Sequence, residues 1–418
     1  MIVPSIDLQG GRAVQLRQGR DLLLTDPRDP VQLAAEFGRY GPVAVVDLDA
    51  ALGRGENREI VRRCCRVATC RVGGGIRSEE DVRSFIRAGA DKVMVGTLAT
   101  PEFLSRFPPQ WIVACLDARG DEVVVRGWTE GTGRKVLDRA RELRPYCGEF
   151  LFTQVEREGM LGGCDLETTA ALRRAVDLPI TVAGGIRSAE EIRRLEELGC
   201  NGQIGRVLYE GGLDLAEAWT ALVAFDGRGL VPTIAQDADT DQVLMLAWSN
   251  AESVARALRT GQGWYWSRSR GALWRKGATS GHEQVVVRAA WDCDRDTLLF
   301  RVRQTGPACH RGSPTCFGDG AGPTLPELER TLERRRLAGD PGSYTRRLLH
   351  DPGLVAAKLR EETEEVIVAA TREEVAWECA DLLYHLMVRM QAGGIGLRDV
   401  ECELRSRFGR EPRSAPLP

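Results

Sequence analysis

No apolar run in this chain approaches the ~20 residues that a bilayer-spanning helix needs, so a membrane-spanning role is not expected. The opening segment, MIVPSIDLQGGRAV, has no basic region ahead of an apolar one and reads as a strand rather than a secretion signal. Neither sign of charge is in excess. Fifty-seven Lys and Arg against 60 Asp and Glu leave a formal net charge of −3. That argues against general binding to nucleic acid or anionic membrane, and leaves room for local basic pockets that hold phosphate. Twelve cysteines in 418 residues are too sparse for a disulfide framework. Neighbours such as Cys64 and Cys65 read as reduced, partly buried thiols, and a cytoplasmic location is the expectation.

What is present is ordinary in bulk and specific in detail. A hydrophobic content of 43% and a charged content of 28% suit a globular protein, and the length suggests roughly two to four domains. From residue 1 to about 225, short apolar runs such as VAVVDLD (43–49), KVMVG (92–96), WIVACLD (111–117) and EFLFTQV (149–155) alternate with amphipathic segments. SEEDVRSFIRAGA (78–90) and SAEEIRRLEELGC (188–200) each start with a serine cap and early acidic residues, and end near a glycine. Repeated βα units over this length predict a closed (β/α)8 barrel, with an open doubly wound sheet as the alternative. Internal duplication favours the barrel: VGGGIRSEEDVRSFIRAGADKVMVGT resembles VAGGIRSAEEIRRLEELGCNGQIGR. The shift is 110 from Arg77 to Arg187 and from Asp7 to Asp117, and 109 from Gly96 to Gly205.

The duplicated motifs have a chemical reading. Glycine-rich strand ends that lead into helix N-termini present backbone N–H groups to phosphate. Gly75, Gly96 and Thr97 would form one cradle, and Gly185, Gly205 and Arg206 its counterpart, which implies a substrate phosphorylated at both ends. Asp7 and Asp117 would end barrel strands one and five. Opposed carboxylates there can serve as general base and general acid if their surroundings separate their pKa values.

The stretches SIDLQGGRAVQLRQG, VVDLDAALGRGEN, LDARGDEVVVRGW and IGRVLYEG resemble the phosphoribosylformimino-AICAR-phosphate isomerases of histidine biosynthesis, over essentially all of residues 1–225. The resemblance implies an Amadori rearrangement in which Asp7 removes the sugar proton, Asp117 opens the ribose ring and Thr153 assists. Two features depart from the family. Thr153-Gln154-Val155-Glu156-Arg157-Glu158-Gly159 stands where Thr-Asp-x-x-x-Asp-Gly is common, and Gln15 stands where many members carry arginine. The sister cyclase subunit shares the barrel, but its lysine after the first strand is absent from Ala13-Val14-Gln15-Leu16-Arg17-Gln18.

After a linker at 225–229, LVPTIAQDADTDQVLMLAWSN suggests two strands about a turn at 239–241. Cys293, Cys309 and Cys316 are soft donors that suit zinc and leave a position for water. Asp292, Asp294 and Asp296 alternate as on a strand edge, so all three would project to one side, and as hard oxygen donors they suit magnesium. Residues 229–318, with WSRSRGALWRKGATSG and DCDRDTLLFRV, then GPACHRG and CF, resemble phosphoribosyl-AMP cyclohydrolase. That implies hydrolytic opening of the purine ring, His282 and His310 as proton-transfer candidates, and Arg268, Arg270, Lys276, Thr279 and Ser280 around phosphate. It also implies an obligate dimer whose three thiols come from two subunits.

A second linker at 318–323 precedes helical segments at 325–339, 353–371 and 373–394. Glu361, Glu362 and Glu365 share a helix face, and Glu378 and Asp381 are likewise three apart, so two antiparallel helices can build a magnesium site. With Lys358 one turn earlier, and with GSYTRRLL and ECADLLYHL, this stretch resembles phosphoribosyl-ATP pyrophosphohydrolase. Lys358 would then meet phosphate and magnesium the triphosphate.

The expected architecture is therefore multidomain. It comprises an N-terminal barrel with half-barrel duplication (1–225), a small central α+β metal-binding domain (226–320), a C-terminal all-α domain (321–410) and a disordered tail (411–418). The expected function is that of a trifunctional histidine-biosynthesis enzyme acting on small phosphoribosyl nucleotides, with zinc and magnesium as cofactors and a homodimer formed through the central and C-terminal domains. The alternative keeps the two hydrolases and gives the barrel altered specificity or a non-catalytic, phosphate-sugar-binding role.

Overall fold

The computed structural model describes residues 1–318, 324–338 and 342–408. Most of the expected second linker (319–323) and the expected tail (411–418) lie outside the described residues. Contacts divide the chain into two units, 1–319 with 405–418, and 320–404.

The first unit opens with twelve strands: β1 (Ile2–Gln9), β2 (Arg12–Arg17), β3 (Asp21–Thr25), β4 (Val43–Asp47), β5 (Cys70–Gly73), β6 (Lys92–Val95), β7 (Ile112–Arg119), β8 (Glu122–Val125), β9 (Glu130–Lys135), β10 (Glu149–Gln154), β11 (Ile180–Ala183) and β12 (Asn201–Ile204). Eight of them, β1, β4, β5, β6, β7, β10, β11 and β12, run parallel in that order, and β1 pairs with β12 to close the ring. The barrel reading is borne out. So is the duplication: β1 and β7, the first and fifth barrel strands, are each extended by an antiparallel hairpin, β2–β3 and β8–β9.

The helices between barrel strands form where the caps were expected. Ser78 Oγ accepts from the Asp81 amide at 3.2 Å and Ser188 Oγ from the Glu191 amide at 3.3 Å. The helices they start, Glu79–Arg87 and Ala189–Glu197, bury Val82, Phe85 and Ile86, and Ile192 and Leu195 respectively. Each such aliphatic or aromatic side chain contributes roughly 1.5–3 kcal/mol by leaving water. Inside the ring, Val3, Ala44, Met94, Val113, Leu151 and Ala183 form an apolar layer. Beneath it, near the N-terminal strand ends, buried Glu149 accepts from Arg71 at 2.5 Å, Thr181 at 2.6 Å and Lys92 at 2.6 Å. This ionic floor closes the end of the barrel opposite the C-terminal strand ends, where barrel active sites lie.

The same unit continues into a six-stranded sheet of β13 (Val231–Asp237), β14 (Val243–Ser249), β15 (Trp264–Ser267), β16 (Ala272–Arg275), β17 (Gln284–Trp291) and β18 (Leu298–Gln304), in the order β16-β15-β14-β13-β18-β17. Its helix, Ala251–Thr260, starts with a reciprocal cap between Asn250 and Ser253 and stops at Gly261, whose φ of 68° suits glycine. The turn expected at 239–241 joins β13 to β14, with Asp237 Oδ1 accepting from the amides of Asp239 and Thr240 at 3.0 Å.

This sheet docks on the base of the barrel. Arg39, ahead of β4, donates to the carbonyls of Leu258 (3.3 Å) and Arg259 (3.4 Å) and accepts from the Ala289 amide at 2.7 Å. Arg288 reaches Thr69, ahead of β5, at 3.1 Å. Trp219 packs on Trp291 with ring centroids 4.4 Å apart.

The second unit holds helices Leu325–Ala338, Tyr344–His350, Pro352–Val368 and Arg372–Ala392, and most of Leu397–Arg407. Leu332, Leu348, Leu349, Val355, Met387 and Val388 form its core. The long helices Pro352–Val368 and Arg372–Ala392 leave Ile367, Val368 and Trp377 exposed.

Candidate active sites and metal centres

Asp7 leaves β1 beside Ser5, whose hydroxyl donates to Asp7 Oδ1 at 3.0 Å. Burial raises the Asp7 carboxyl to about 6 despite that bond. Asp117 on β7 is raised by the same cause, while side-chain hydrogen bonds from Trp128 and Thr153 pull it back. Thr153 sits opposite Asp117 in the β10–β7 register. Sequence reasoning took Glu158 only as a departure from the family. It belongs to this group: burial first, then the charges of Asp7 and Asp117, raises it to about 7. Three carboxylates thus share one mouth. Trp128 and Ser5 were missed as partners. Ser5 had no signal beyond its alternation with Asp7, and Trp128 lay in a recognised stretch without an assigned role.

The two glycine cradles form in matched geometry. Gly74 and Gly75 have φ of 93° and 71°, and Gly184 and Gly185 have 95° and 83°. A Cβ at Gly75 would meet Ala50 Cβ at 2.5 Å, and one at Gly185 would meet the Gly163 carbonyl at 2.6 Å. Only glycine permits that turn in either half. The other members are partly engaged. Thr97 Oγ1 accepts from the Arg126 amide at 3.1 Å. The Arg206 guanidinium is turned to Glu210 (2.7 Å) and the Gly159 carbonyl (2.5 Å). With its guanidinium so engaged, Arg206 offers the cradle its backbone, the group that the sequence reading assigned there. Gln15 is buried against Gly205, whose Cβ would meet Gln15 Oε1 at 2.9 Å, so that family departure falls on the second cradle.

In the central sheet, Asp292, Asp294 and Asp296 bring one carboxylate oxygen each to within 4.8 Å of the others. They do so from a turn between β17 and β18, not from a strand edge as expected. Arg295 takes a left-handed φ of 67°, which folds the segment back and lets alternate residues converge. Cys293 is exposed in the same turn. Cys309 and Cys316 lie beyond the far end of β18. That strand of seven residues rises ~3.3 Å per residue, so the two groups are separated by roughly 20 Å. Among the described residues the three thiols do not meet within one chain.

Cys309 and Cys316 interact with each other. Hydrogen bonds from the Arg311 amide and from Ser313 lower the Cys309 thiol, while burial and the Cys309 charge raise that of Cys316. Lys276 Nζ donates to the Ala308 carbonyl at 2.5 Å, beside this pair. Burial lowers its pKa. His310 Nδ1 lies 4.0 Å from Cys309 Sγ. His282 packs on Gly306, where a Cβ would meet its ring at 2.7 Å. Arg268 lies over Trp248, 4.6 Å from the ring centroid, and Arg270 Nε donates to Ser267 at 3.2 Å. Ser280 Oγ accepts from the His282 amide at 3.3 Å, in the turn that also carries Thr279.

In the helical unit, Glu362, Glu365 and Glu378 converge within 4.8 Å. Desolvation and the charges of Glu378 and Glu362 raise Glu365. Glu361 and Asp381 are not in this group. Glu361 instead holds Lys358 at 2.8 Å, with Glu362 at 3.4 Å from the same ammonium, so Lys358 is paired with carboxylates where sequence suggested phosphate. Asp381 contributes its carbonyl to His385 Nδ1 at 2.9 Å. That ring also lies 3.5 Å from Glu362 and buries Nε2 without a partner.

Comparison with known proteins follows the same three segments. Residues 1–214 match the model of a histidine biosynthesis protein family, residues 245–318 that of phosphoribosyl-AMP cyclohydrolase and residues 325–408 that of phosphoribosyl-ATP pyrophosphohydrolase. A histidine biosynthesis trifunctional protein of Neurospora crassa is 49% identical over 185 residues, 44% of this chain and 21% of that protein. The chain thus spans about a fifth of the length of such relatives. The histidine biosynthesis bifunctional protein HisIE of Bacillus subtilis is 43% identical over 196 residues, 44% of this chain and 93% of that protein. A phosphoribosyl imidazole-4-carboxamide isomerase of Methylococcus capsulatus is 37% identical over 236 residues, 52% of this chain and 96% of that protein. With over half of its length covered by the first of these models, on a closed barrel, the chain belongs to the histidine biosynthesis protein family.

Proposed function

We propose that the chain carries three consecutive steps of histidine biosynthesis: pyrophosphate release from phosphoribosyl-ATP in residues 321–410, purine-ring opening of phosphoribosyl-AMP in residues 226–320, and isomerisation of the product in the barrel, residues 1–225. One observation carries this reading. Each of the three matched segments holds its own group of convergent acidic side chains, around Asp7, Asp294 and Glu365.

In the barrel, Asp7, raised to about 6, is ionised at neutral pH and suited to take the sugar proton. Asp117, oriented by Trp128 and Thr153, delivers a proton to the ring oxygen; as the enaminol becomes the ketose, C1 takes up the proton that Asp7 holds and the C2 hydroxyl returns one to Asp117, so the rearrangement is proton-neutral overall. The paired cradles suit a substrate with phosphate at both ends.

The donor sets fit two kinds of cation: thiols for zinc, and the two carboxylate groups for magnesium. Zinc lowers the pKa of a water it holds, and magnesium offsets the charge of phosphate oxygens. His282 and His310 would move protons, and Arg268, Arg270, Lys276, Thr279 and Ser280 would hold phosphate; His310 beside Cys309 and Lys276 beside Ala308 support this reading. Cys293 is separated from Cys309 and Cys316 along β18, so one complete thiol set requires two copies of the chain. Exposed Val243, Leu246, Val285 and Phe317 in the central sheet, with Ile367, Val368 and Trp377 in the helical unit, support a homodimer. Among the described residues no helix is long and apolar enough to cross a membrane. We place the protein in the cytoplasm on its biosynthetic kinship.

A second reading gives the barrel altered specificity or a binding role, and it is favoured by Glu158 and by Gln154. Gln154 spends its amide on Asp165 at 3.0 Å. Isomerase turnover by the purified chain decides between the two. Wild type should turn over, and Asp7→Asn and Asp117→Asn should each lose at least ~100-fold. Binding without turnover by wild type would establish the second reading.

A further inference from the structure

The metal turn of the central sheet is anchored to the barrel, not only to its own sheet. Arg295, between Asp294 and Asp296 in the turn, extends its guanidinium to Glu196 Oε2, and the side chains are 30% and 8% exposed. Its backbone carbonyl accepts from the amide of Ala224, past the last barrel helix, at 3.0 Å. Its guanidinium also lies over Trp291, 5.6 Å from the ring centroid, and Trp291 packs on Trp219 of the barrel. The other oxygen of Glu196 faces the amine of Met1.

The half-barrel repeat shows what is special about Glu196. A shift of 110 carries it onto Ile86, and its neighbour Leu195 onto Phe85. Leu195 and Phe85 are both buried, as the shared fold requires, and Ile86 is fully buried in the first half. At that position the second half carries a carboxylate instead, and there the central domain docks. The position is needed for barrel packing in one half and meets the metal turn in the other.

We propose that Glu196, a residue of the isomerase barrel, is a positioning residue for the cyclohydrolase site: it holds Arg295 so that the turn keeps Asp292, Asp294 and Asp296 converged and Cys293 presented. The left-handed backbone of Arg295 makes this anchoring consequential. An L residue reaches φ of 67° only where its surroundings over-determine it. The proposal rests on the cyclohydrolase reading above, since it assigns a role toward that site's cation.

The test uses the full chain and reads metal binding directly. Hydrogen exchange of the peptide covering 291–298 is followed as Mg2+ is titrated, for wild type, Glu196→Gln, Glu196→Asp and Arg295→Met, with isomerase turnover as the control for a folded barrel. In Glu196→Gln the turn should exchange faster without metal, and the Mg2+ concentration for half protection should rise about 10-fold, the scale of losing a residue that orients ligands. Glu196→Asp should recover part of that shift, Arg295→Met should reproduce it, and the double variant should be no worse than either single one. Isomerase turnover should be unchanged throughout. If wild type is protected by Mg2+ and Glu196→Gln and Arg295→Met stay within twofold of it, the positioning role is wrong. If wild type shows no Mg2+-dependent protection at all, the metal-turn reading of the central domain fails, and the positioning role fails with it.

Discussion

At the scale of single residues, the barrel mouth is defined by carboxylates that the fold holds away from their ordinary pKa values. Asp7 keeps its proton to about 6 in the folded chain, against 3.8 for an unperturbed aspartate. The fold therefore disfavours the charged form, and stability is lost as pH rises from about 4 through about 6. Asp7→Asn removes that loss. It should be more stable than wild type at pH 8 by roughly 2–3 kcal/mol and close to it at pH 4, a difference that denaturant melts at the two pH values would show. Its isomerase turnover should be lost at both. In wild type, kcat/KM should decline as pH falls below about 6, where the base takes up its proton. Equal stability at pH 8 would mean that the carboxylate is not desolvated. Asp7 and Asp117 were legible in the sequence because duplication and strand ends place them, and Thr153 through the family resemblance. Glu158 was visible only as a lengthened side chain, since its approach to the two aspartates depends on how the segment after β10 folds back. That segment lies under the β2–β3 hairpin, where the Gln18 amide donates to the Glu158 carbonyl at 3.0 Å.

Among the elements, the eight barrel strands and the serine-capped helices could be read from period and punctuation, because local sequence and burial agree there. The turn at Asp292–Asp296 could not. Period-2 alternation of aspartates suggests a strand, and only the left-handed Arg295, held from outside by the barrel, converts it to a turn. Lys358 shows the same limit on a smaller scale: its ammonium is paired with Glu361 and Glu362 one helical turn away. The β18 strand carries a direct consequence. Because it separates Cys293 from Cys309 and Cys316, chains bearing Cys293→Ser and chains bearing Cys309→Ser should each be inactive in ring opening. Exchanged together at equal ratio, they should recover about a quarter of wild-type activity, since in the proposed twofold dimer half of the pairs would be mixed and each mixed pair would have one intact site of two. No recovery on mixing would place all three thiols in one chain.

For the molecule as a whole, the first unit sets the two proposed sites at opposite ends of one barrel. The central sheet is clamped to the N-terminal strand ends through Arg39, Thr69, Glu196 and Trp219, while Asp7 and Asp117 open at the C-terminal ends. The turn at Asp292–Asp296 therefore lies on the far side of the buried floor of Glu149, Arg71 and Lys92 from the mouth. On the proposed reading, the ring-opened product leaves the central domain before it reaches the mouth. An equal mixture of Asp294→Asn and Asp117→Asn chains should accordingly form the final ketose about as fast as wild type at half the concentration, and a mixture several-fold slower would show direct transfer.

The most direct test of the fused chemistry is to feed phosphoribosyl-ATP to the full chain with magnesium and zinc and to follow products by chromatography coupled to mass detection, because the last step changes no mass. The expected record is loss of pyrophosphate, then gain of one water, then replacement of that species by an isomer of equal mass and different retention. Accumulation of the ring-opened aldose without its isomer, or phosphoribosyl-ATP left intact, would contradict it.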